Sequence, residues 1–419
     1  MGYTVFGRVI LREGGFKSFQ TPAVEPPGPP PTLDWSTATI AETKILPSDI
    51  PAGEKYGQAV AISKDGLTMA FGSLGYTHNY VYVYVNTGGT WTLQQKVLGS
   101  DITAYEYYGF ALDISDDGNT LVVGAYGETT GGGEKGAAYV FTRTEGVWTQ
   151  EAKLTGIDTG ANDNNGRSVA ISGDGNTIMI GATRDENFTG SVYVFYKSSG
   201  VWSQQTKLNP GSGSTGDTKG YAVSLSYNGN TAVFSLPFKD SPTDSGKVEI
   251  FTRTGSTWSL QQEILPPVPV ASLNFGISVS LDNSGNTLLI GTQNENGSRG
   301  AVYVFKRNAG VWSQDQKLTV SDVNSYFFGW SAAISSNSET IAVGAYYADD
   351  VKGAVFVFNY DGTDWVLTKK LSASDAAVND QFGYDVSISD NGNTILVGAN
   401  EDDNAQGSNA GAVYIYKAT

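Results

Sequence analysis

From residue 39 onward the chain is a succession of short runs rich in Val, Ile, Phe, Tyr and Thr, broken by Gly, Asp and Asn, with no sustained helical period. The stretch from Tyr108 shows the unit. It reads YGFALDIS, the turn Asp116-Asp117-Gly118-Asn119, TLVVGA, a variable loop, GAAYVFTR, Glu145-Gly146 and VWTQEAKL. Asp-Gly and Asn-Gly supply the positive φ that tight hairpins need, so the unit reads as four antiparallel strands. Its opening phrase occurs seven times: YGQAVAIS from Tyr56, YGFALDIS from Tyr108, NGRSVAIS from Asn165, KGYAVSLS from Lys219, FGISVSLD from Phe275, FGWSAAIS from Phe328 and FGYDVSIS from Phe382. The spacings are 52, 57, 54, 56, 53 and 54 residues, in the range of roughly 40–50 for propeller blades once loop insertions are added. The expected fold is all-β, a seven-bladed β-propeller of four-stranded antiparallel blades.

The termini bear on closure. The chain stops at Gly411–Thr419, a third strand, so the seventh repeat lacks its fourth. Thr39–Asp49 (TIAETKILPSD) resembles the fourth strand and following loop at Trp91–Asp101, with Lys44-Ile45 in the place of Lys96-Val97, Lys153-Leu154, Lys207-Leu208, Lys317-Leu318 and Lys370-Leu371. Glu263-Ile264 is the one variant. Residues 39–49 are therefore expected to supply the outer strand of the last blade, leaving no open seam. The propeller then occupies 35–419, preceded by an anchoring arm at 1–21 and a Pro-rich spacer at 22–34. Within the arm, Thr4–Leu11 reads as a strand, and Tyr3, Val5, Phe6, Val9, Leu11, Phe16 and Phe19 are the candidate partner-anchoring residues. Strand addition to a partner's sheet is the natural mode for such a segment. Pro22, Pro26, Pro27, Pro29, Pro30 and Pro31 suit a stiff extended spacer.

Charge narrows the partners. Lys+Arg 26 against Asp+Glu 42 gives −16, and the arm is neutral, so the propeller carries the excess. A nucleic-acid surface needs the opposite balance, so neither nucleic acid nor an anionic membrane is an expected partner. No apolar run approaches the roughly 18–20 residues of a membrane helix, and the first twenty residues carry no secretory pattern. With no Cys and one His, His78, thiolate and His-rich metal sites are excluded, and little remains for acid–base or covalent catalysis. A carboxylate pair in the central channel is the one opening for an enzyme.

Phe275-Gly276, Phe328-Gly329, Phe382-Gly383, the GNTLVVGA-like segments (Gly118–Ala125, Gly175–Ala182, Gly392–Ala399) and GAVYVF at Gly300–Phe305 resemble the FG-GAP repeat family, especially its bacterial and phage-associated branch. The resemblance covers roughly 39–419. It implies an integrin-α-head-like propeller used for adhesion and protein recognition, without catalysis. The family's calcium loop, D-x-D/N-x-D-G-x-x-D, does not carry over: the matching connections, such as Gly173-Asp174-Gly175-Asn176 and Asp390-Asn391-Gly392-Asn393, are hairpin turns. No metal or other cofactor is expected. The same turns match the sialidase Asp-box poorly.

Function is expected on the face that carries the long fourth-to-first and second-to-third connections, because scaffold-held variable loops concentrate binding residues. The candidate ligand-binding residues are Tyr105, Tyr107, Tyr108, Arg184, Asp185, Phe188, Tyr326, Phe327, Trp330, Tyr346, Tyr347, Asp349 and Asp402, aromatics and acids suited to sugar stacking or a protein hot spot. Trp91, Trp148, Trp202, Trp258, Trp312 and Trp365 open fourth strands and are expected to pack blade on blade. Asp49, Asp101, Asp158, Asp322 and Asp375 recur before first strands and are expected in Asx-type turns. Blade four is irregular at Phe234-Ser235-Leu236-Pro237 and before blade five at Pro266-Pro267-Val268-Pro269. The expected function is a non-enzymatic binding or structural protein, first a tailed-phage virion surface component held by its arm to other virion proteins, with a host-surface protein or glycan on the loop face. A bacterial surface or secreted adhesion module comes second and an intracellular scaffold third, with a glycan-acting enzyme last.

Overall fold

The structure, a computed structural model, describes residues 33–74, 80–129, 132–208, 214–239, 244–321 and 326–419. The anchoring-arm residues, His78 and Asp322 lie outside the described residues. Seven four-stranded antiparallel sheets form the propeller. Blade two is typical: Tyr108–Ile114, Thr120–Ala125, Ala137–Thr144 and Val147–Leu154 pair in sequence order. The last blade combines Phe382–Ile388, Thr394–Ala399 and Ala412–Ala418 with Ile40–Ile45 as its outer strand. Among the described residues no helix is long and apolar enough to cross a membrane.

Burial follows radial position. Second strands such as Thr177–Ala182 and Thr340–Ala345 are buried at every residue, because each blade is covered on both faces by its neighbours. Fourth strands are largely exposed or half-buried, as in Val147–Leu154, since they form the rim. Trp148, Trp312 and Trp365 are buried against the preceding blade, and Trp148 and Trp312 donate Nε1–H to Gln94 and Gln261 there. Six blades carry a register shift between the third and fourth strands, for example at Val140/Phe141 and Val194/Phe195, an extra residue that strengthens local twist. The closing strand pairs without one, Ile40 to Ala418 through Ile45 to Val413. Its tryptophan therefore comes from the segment just before the strand. Trp35 is fully buried between blades six and seven and donates Nε1–H to the Gly392 carbonyl at 3.0 Å.

The blades are joined where two glycine backbones touch. A Cβ on Gly344 would overlap the carbonyl oxygen of Gly383 in the next blade, and one on Gly291 would overlap that of Gly329. Gly72, Gly124, Gly181 and Gly398 meet Gly109, Gly166, Gly220 and Gly57 in the same way. The receiving glycines have positive φ, 92° at Gly329 and 88° at Gly383, which side-chain-bearing residues adopt at a cost. Just above, residues such as Gly300 and Phe328, or Gly353 and Phe382, bridge neighbouring blades in parallel. In blade four the first glycine of the pair is Ser235, whose Oγ accepts the Ala222 N–H at 3.1 Å.

Overpacking a contact of this kind costs about 1–3 kcal/mol. Gly344→Ala should lower the unfolding free energy by about that amount in urea titrations. Gly200→Ala, at a hairpin tip with nothing within 4 Å, should cost no more than the roughly 1 kcal/mol of its positive φ. Equal effects at the two sites would mean that the seam is not a close contact.

Candidate functional site: the mouth of the central channel

First strands line the axis, and the residue after each seam glycine points to its upper end. These residues are Gln58, Phe110, Arg167, Tyr221, Ile277, Trp330 and Tyr384, one per blade, around a cavity of ≈ 240 Å³. Four are aromatic and one is a cation. Arg167 lies between the rings of Phe110 and Tyr221, 4.3 and 4.7 Å from their centroids. Trp330 packs on Tyr346 and Tyr384 at 5.0 and 5.5 Å. The aromatic surface spreads outward through Phe327 and Tyr347 on one side and Tyr126 and Tyr107 on the other. Burial pushes the Tyr346 hydroxyl up to about 12 and raises that of Tyr384, so both are neutral donors at neutral pH.

Below the mouth the channel continues past Asp113, Asp385, Lys64 and Asp116. The inner edge of each first strand would otherwise leave N–H groups unpaired, and side chains of the preceding blade cap several of them. Asp385 accepts Val60 N–H at 2.8 Å and Val386 N–H at 3.0 Å. Asp113 accepts those of Ile171 and Ile114, both at 2.9 Å. Burial pushes Asp113 up to about 6 and Asp385 up to about 7 despite these bonds. The far end is closed: Asn283 donates to Asp116 across the axis at 2.6 Å, and the first-to-second turns are strung together by Lys64 N–H to Asp116, Asp116 N–H to Gly173 and Asp390 N–H to Lys64. The channel is a funnel open toward the variable loops.

Those turns do not suit calcium. Asp65 and Asp117 each spend one oxygen on the preceding Ser63 or Ser115 hydroxyl and on the backbone two residues ahead. A calcium ion needs about six to eight oxygens from a loop long enough to wrap it.

The loop-face residues singled out from sequence fall into three groups. Phe327, Trp330 and Tyr346, with Tyr107 and Tyr347, belong to the mouth or its aromatic margin. Tyr105, Arg184, Phe188 and Tyr326 are exposed on outlying loops, with Arg184 over the Phe188 ring at 5.6 Å. Burial corrects three of these residues and partly covers a fourth. Tyr108 has no exposed surface and packs edge-on against Tyr139, because it occupies the aromatic position before a seam glycine. Asp185 and Asp402 are buried and bound to Tyr193 and Tyr414 and to Lys207 and Lys44. Asp349 is half-buried and pairs with Lys370 at 2.8 Å.

The recurrent aspartates are a further correction. Instead of closing Asx turns with their side chains, Asp101, Asp158 and Asp375 accept the hydroxyls of Tyr139, Tyr193 and Tyr414 at 2.6–2.8 Å and pair with Lys153, Lys207 and Lys44. Asp49 does the same with Tyr82 and Lys96. The lysine and tyrosine are directly opposite across the third and fourth strands, as in Lys153 with Tyr139, which places the ammonium over the ring at 5.0–5.5 Å. Blade four swaps the charges: Glu249 and Glu263 stand for the tyrosine and lysine, and Lys247 bridges them at 2.7 and 2.6 Å. Its buried Lys219 takes the aromatic position, held below the usual lysine value by burial while Glu249 opposes the shift.

Gln58, Phe110, Arg167, Tyr221, Ile277, Tyr384, Asp113 and Asp385 were not among the residues singled out from sequence. The available signal was the third position of the repeated phrase, which differs between most blades while its neighbours recur.

The seven-bladed propeller thus carries an aromatic funnel on its variable face. The FG-GAP repeat model matches residues 91–141, 148–195, 258–305, 312–358 and 365–416. The chain belongs to the FG-GAP repeat family. It is similar to mouse (Mus musculus) integrin alpha-M, 30% identical over 175 residues, 38% of this chain and 15% of that protein. It is also similar to mouse integrin alpha-2, 28% identical over 190 residues, 39% of this chain and 16% of that protein. The match thus spans under a fifth of either integrin chain. Among solved structures, the β-propeller domain of Myceliophteria thermophila Cps50 (Swd1) superposes with a TM-score of 0.60 at 11% identity, covering 90% of this chain and 100% of that one, a likeness of fold alone.

Asp113 and Asp385 bind protons more readily in the folded chain than in the unfolded one, where carboxylates titrate near 4. The folded state therefore gains stability as pH falls through about 7 and 6, and loses it as pH rises. Asp49, Asp158 and Asp375 are shifted the other way by their lysine and tyrosine partners, against burial; the stability they add is present above about 4 and lost below it. The urea midpoint should therefore be higher at pH 5 than at pH 8, and the Asp113→Asn/Asp385→Asn double variant should flatten that difference. A midpoint that rises between pH 5 and pH 8 would show the channel acids to be ordinary carboxylates.

Proposed function

We propose that this chain is a non-enzymatic recognition propeller whose partner sits on the variable-loop face, centred on the channel mouth. The observation that carries this reading is the convergence of Phe110, Tyr221, Trp330 and Tyr384, with Phe327, Tyr346 and Tyr347 beside them, on one end of a funnel closed at the other. Aromatic clusters of this kind supply large contact area with few rotors to freeze. The non-catalytic part of the reading is supported by Asp113 and Asp385, the acids best placed for chemistry, which spend their oxygens on backbone amides.

The setting we infer is the surface of a tailed-phage virion, with the arm at 1–21 docked to another virion protein and the propeller displayed for attachment. The sequence layout of anchor, proline spacer and propeller supports it. The second reading is a bacterial surface or secreted adhesion module, for which membership of the FG-GAP repeat family is the support. Mass spectrometry of purified virions separates the two, since the first requires the chain among the virion proteins.

Binding of the purified chain to host cells tests the site itself. The Trp330→Ala/Tyr347→Ala double variant should weaken cell binding on the order of tenfold or more, as removal of central aromatic anchors does, while still unfolding cooperatively. Undiminished cell binding by a folded double variant would move the recognition surface elsewhere.

A further inference from the structure

We propose that the channel mouth takes a single terminal acidic sugar, with Arg167 receiving its carboxylate. The proposal rests on the reading of this face as the recognition face.

Arg167 differs from the arginines of the repeat. Arg143 and Arg307 bond Asn119 and Asn286 and lie over Trp148 and Trp312. Arg253 bonds Asn230 and lies over Trp258. Among the described residues the Arg167 guanidinium has no ion pair and no side-chain hydrogen bond, in a chain with 42 acidic residues. The Phe110 and Tyr221 ring centroids lie 4.3 and 4.7 Å from its Cζ. Cation–π contacts of this kind use none of the guanidinium N–H donors, whose fork matches the bidentate geometry of a carboxylate. The flanking rings restrict the side chain before any ligand arrives, so less order has to be imposed on binding.

The rest of the mouth suits a pyranose. Trp330 and Tyr384 supply ring faces on the other side of the cavity. Gln58 on the wall beneath bonds the Tyr384 hydroxyl and takes the Asn400 amide on its own oxygen. Asp385 beside it holds one backbone amide on each carboxylate oxygen, and the remaining lone pair on each can accept a sugar hydroxyl. The cavity of ≈ 240 Å³ has room for about one sugar ring, smaller than the roughly 300–1,000 Å³ of drug-sized sites. The Asp116–Asn283 bond closes the channel below. A polymer therefore enters by its end and does not thread through. A peptide C-terminus shares the carboxylate, but the acceptor-bearing wall and the ring-sized space favour the sugar.

The test is saturation-transfer NMR on the full chain, with D-glucuronate and D-glucose as probes. Glucuronate should bind on the order of tenfold more tightly than glucose, the worth of one charge-assisted pair. Arg167→Met should remove that preference, and Trp330→Ala should weaken both sugars. Arg167→Gln is the second variant, should methionine loosen the mouth. Equal binding of the two sugars, no binding of glucuronate, or a preference that survives both Arg167 variants overturns the proposal. So does an acetylated dipeptide carboxylate that binds through Arg167 where glucuronate does not. The wider reading is judged separately: cell binding that survives Arg167→Met but not Trp330→Ala/Tyr347→Ala sinks the acidic sugar alone, whereas survival in both sinks the recognition face.

Discussion

Everything in this propeller is placed by the close backbone contact at each seam, made by two glycines in six of the seven. In those six neither position has room for a Cβ: one lies in a second strand buried on both faces, and the other turns through positive φ just before a first strand begins its run down the axis. The contact brings neighbouring blades closer than any side chain would allow. It lets parallel bridges such as Gly300 to Phe328 form. It also fixes how far each first strand stands from the axis, and hence which side chains reach the channel. Ser235 shows what happens when one glycine is replaced. Blade four keeps its place by turning the serine hydroxyl onto the backbone of its own first segment, where it accepts the Ala222 N–H.

A second repeated device handles the loop face. A lysine on the fourth strand lies over the tyrosine opposite it, and acids from the loops above come down to both. Lys207 gathers Asp158, Asp185 and Glu186, and Lys44 gathers Asp375 and Asp402. Much of the loop face's acidity is thus spent internally, tying variable loops to invariant strands. The closing strand takes part fully, since Lys44 does for the last blade what Lys153 does for the second. That shared lysine is why the N-terminal strand could be matched to its place from sequence, although it has no bulge and its tryptophan lies outside the expected register.

What could be read from the sequence was whatever recurs. Seven copies of one phrase and the missing fourth strand of the seventh repeat define blade number, strand number and ring closure without further help. The site was harder, because linear proximity to a variable loop says little about direction. Tyr107 and Tyr108 are adjacent, yet one reaches the aromatic margin and the other is sealed between blades. Asp402 and Asp185 sit in variable loops and turn downward to a lysine that the repeat itself supplies. Trp35 was hidden for the opposite reason: it performs a repeated task from a position the repeat does not predict.

The mouth residues escaped notice because they lie inside the most regular phrase in the chain. The residue after each seam glycine is held by the two strongest constraints in the blade, the close contact on one side and the edge-capping first strand on the other. Its side chain nevertheless faces open space at the axis, so the fold dictates where it points and leaves its chemistry free. Seven such positions, filled by Gln58, Phe110, Arg167, Tyr221, Ile277, Trp330 and Tyr384, turn a nearly symmetric ring into an asymmetric surface. A repeat protein can thus hold specificity at the centre of its scaffold, where positioning is most rigid, as well as on its loops. Here the rigid centre supplies the cation, the stacking faces and the closed end, and the loops supply the aromatic margin around them.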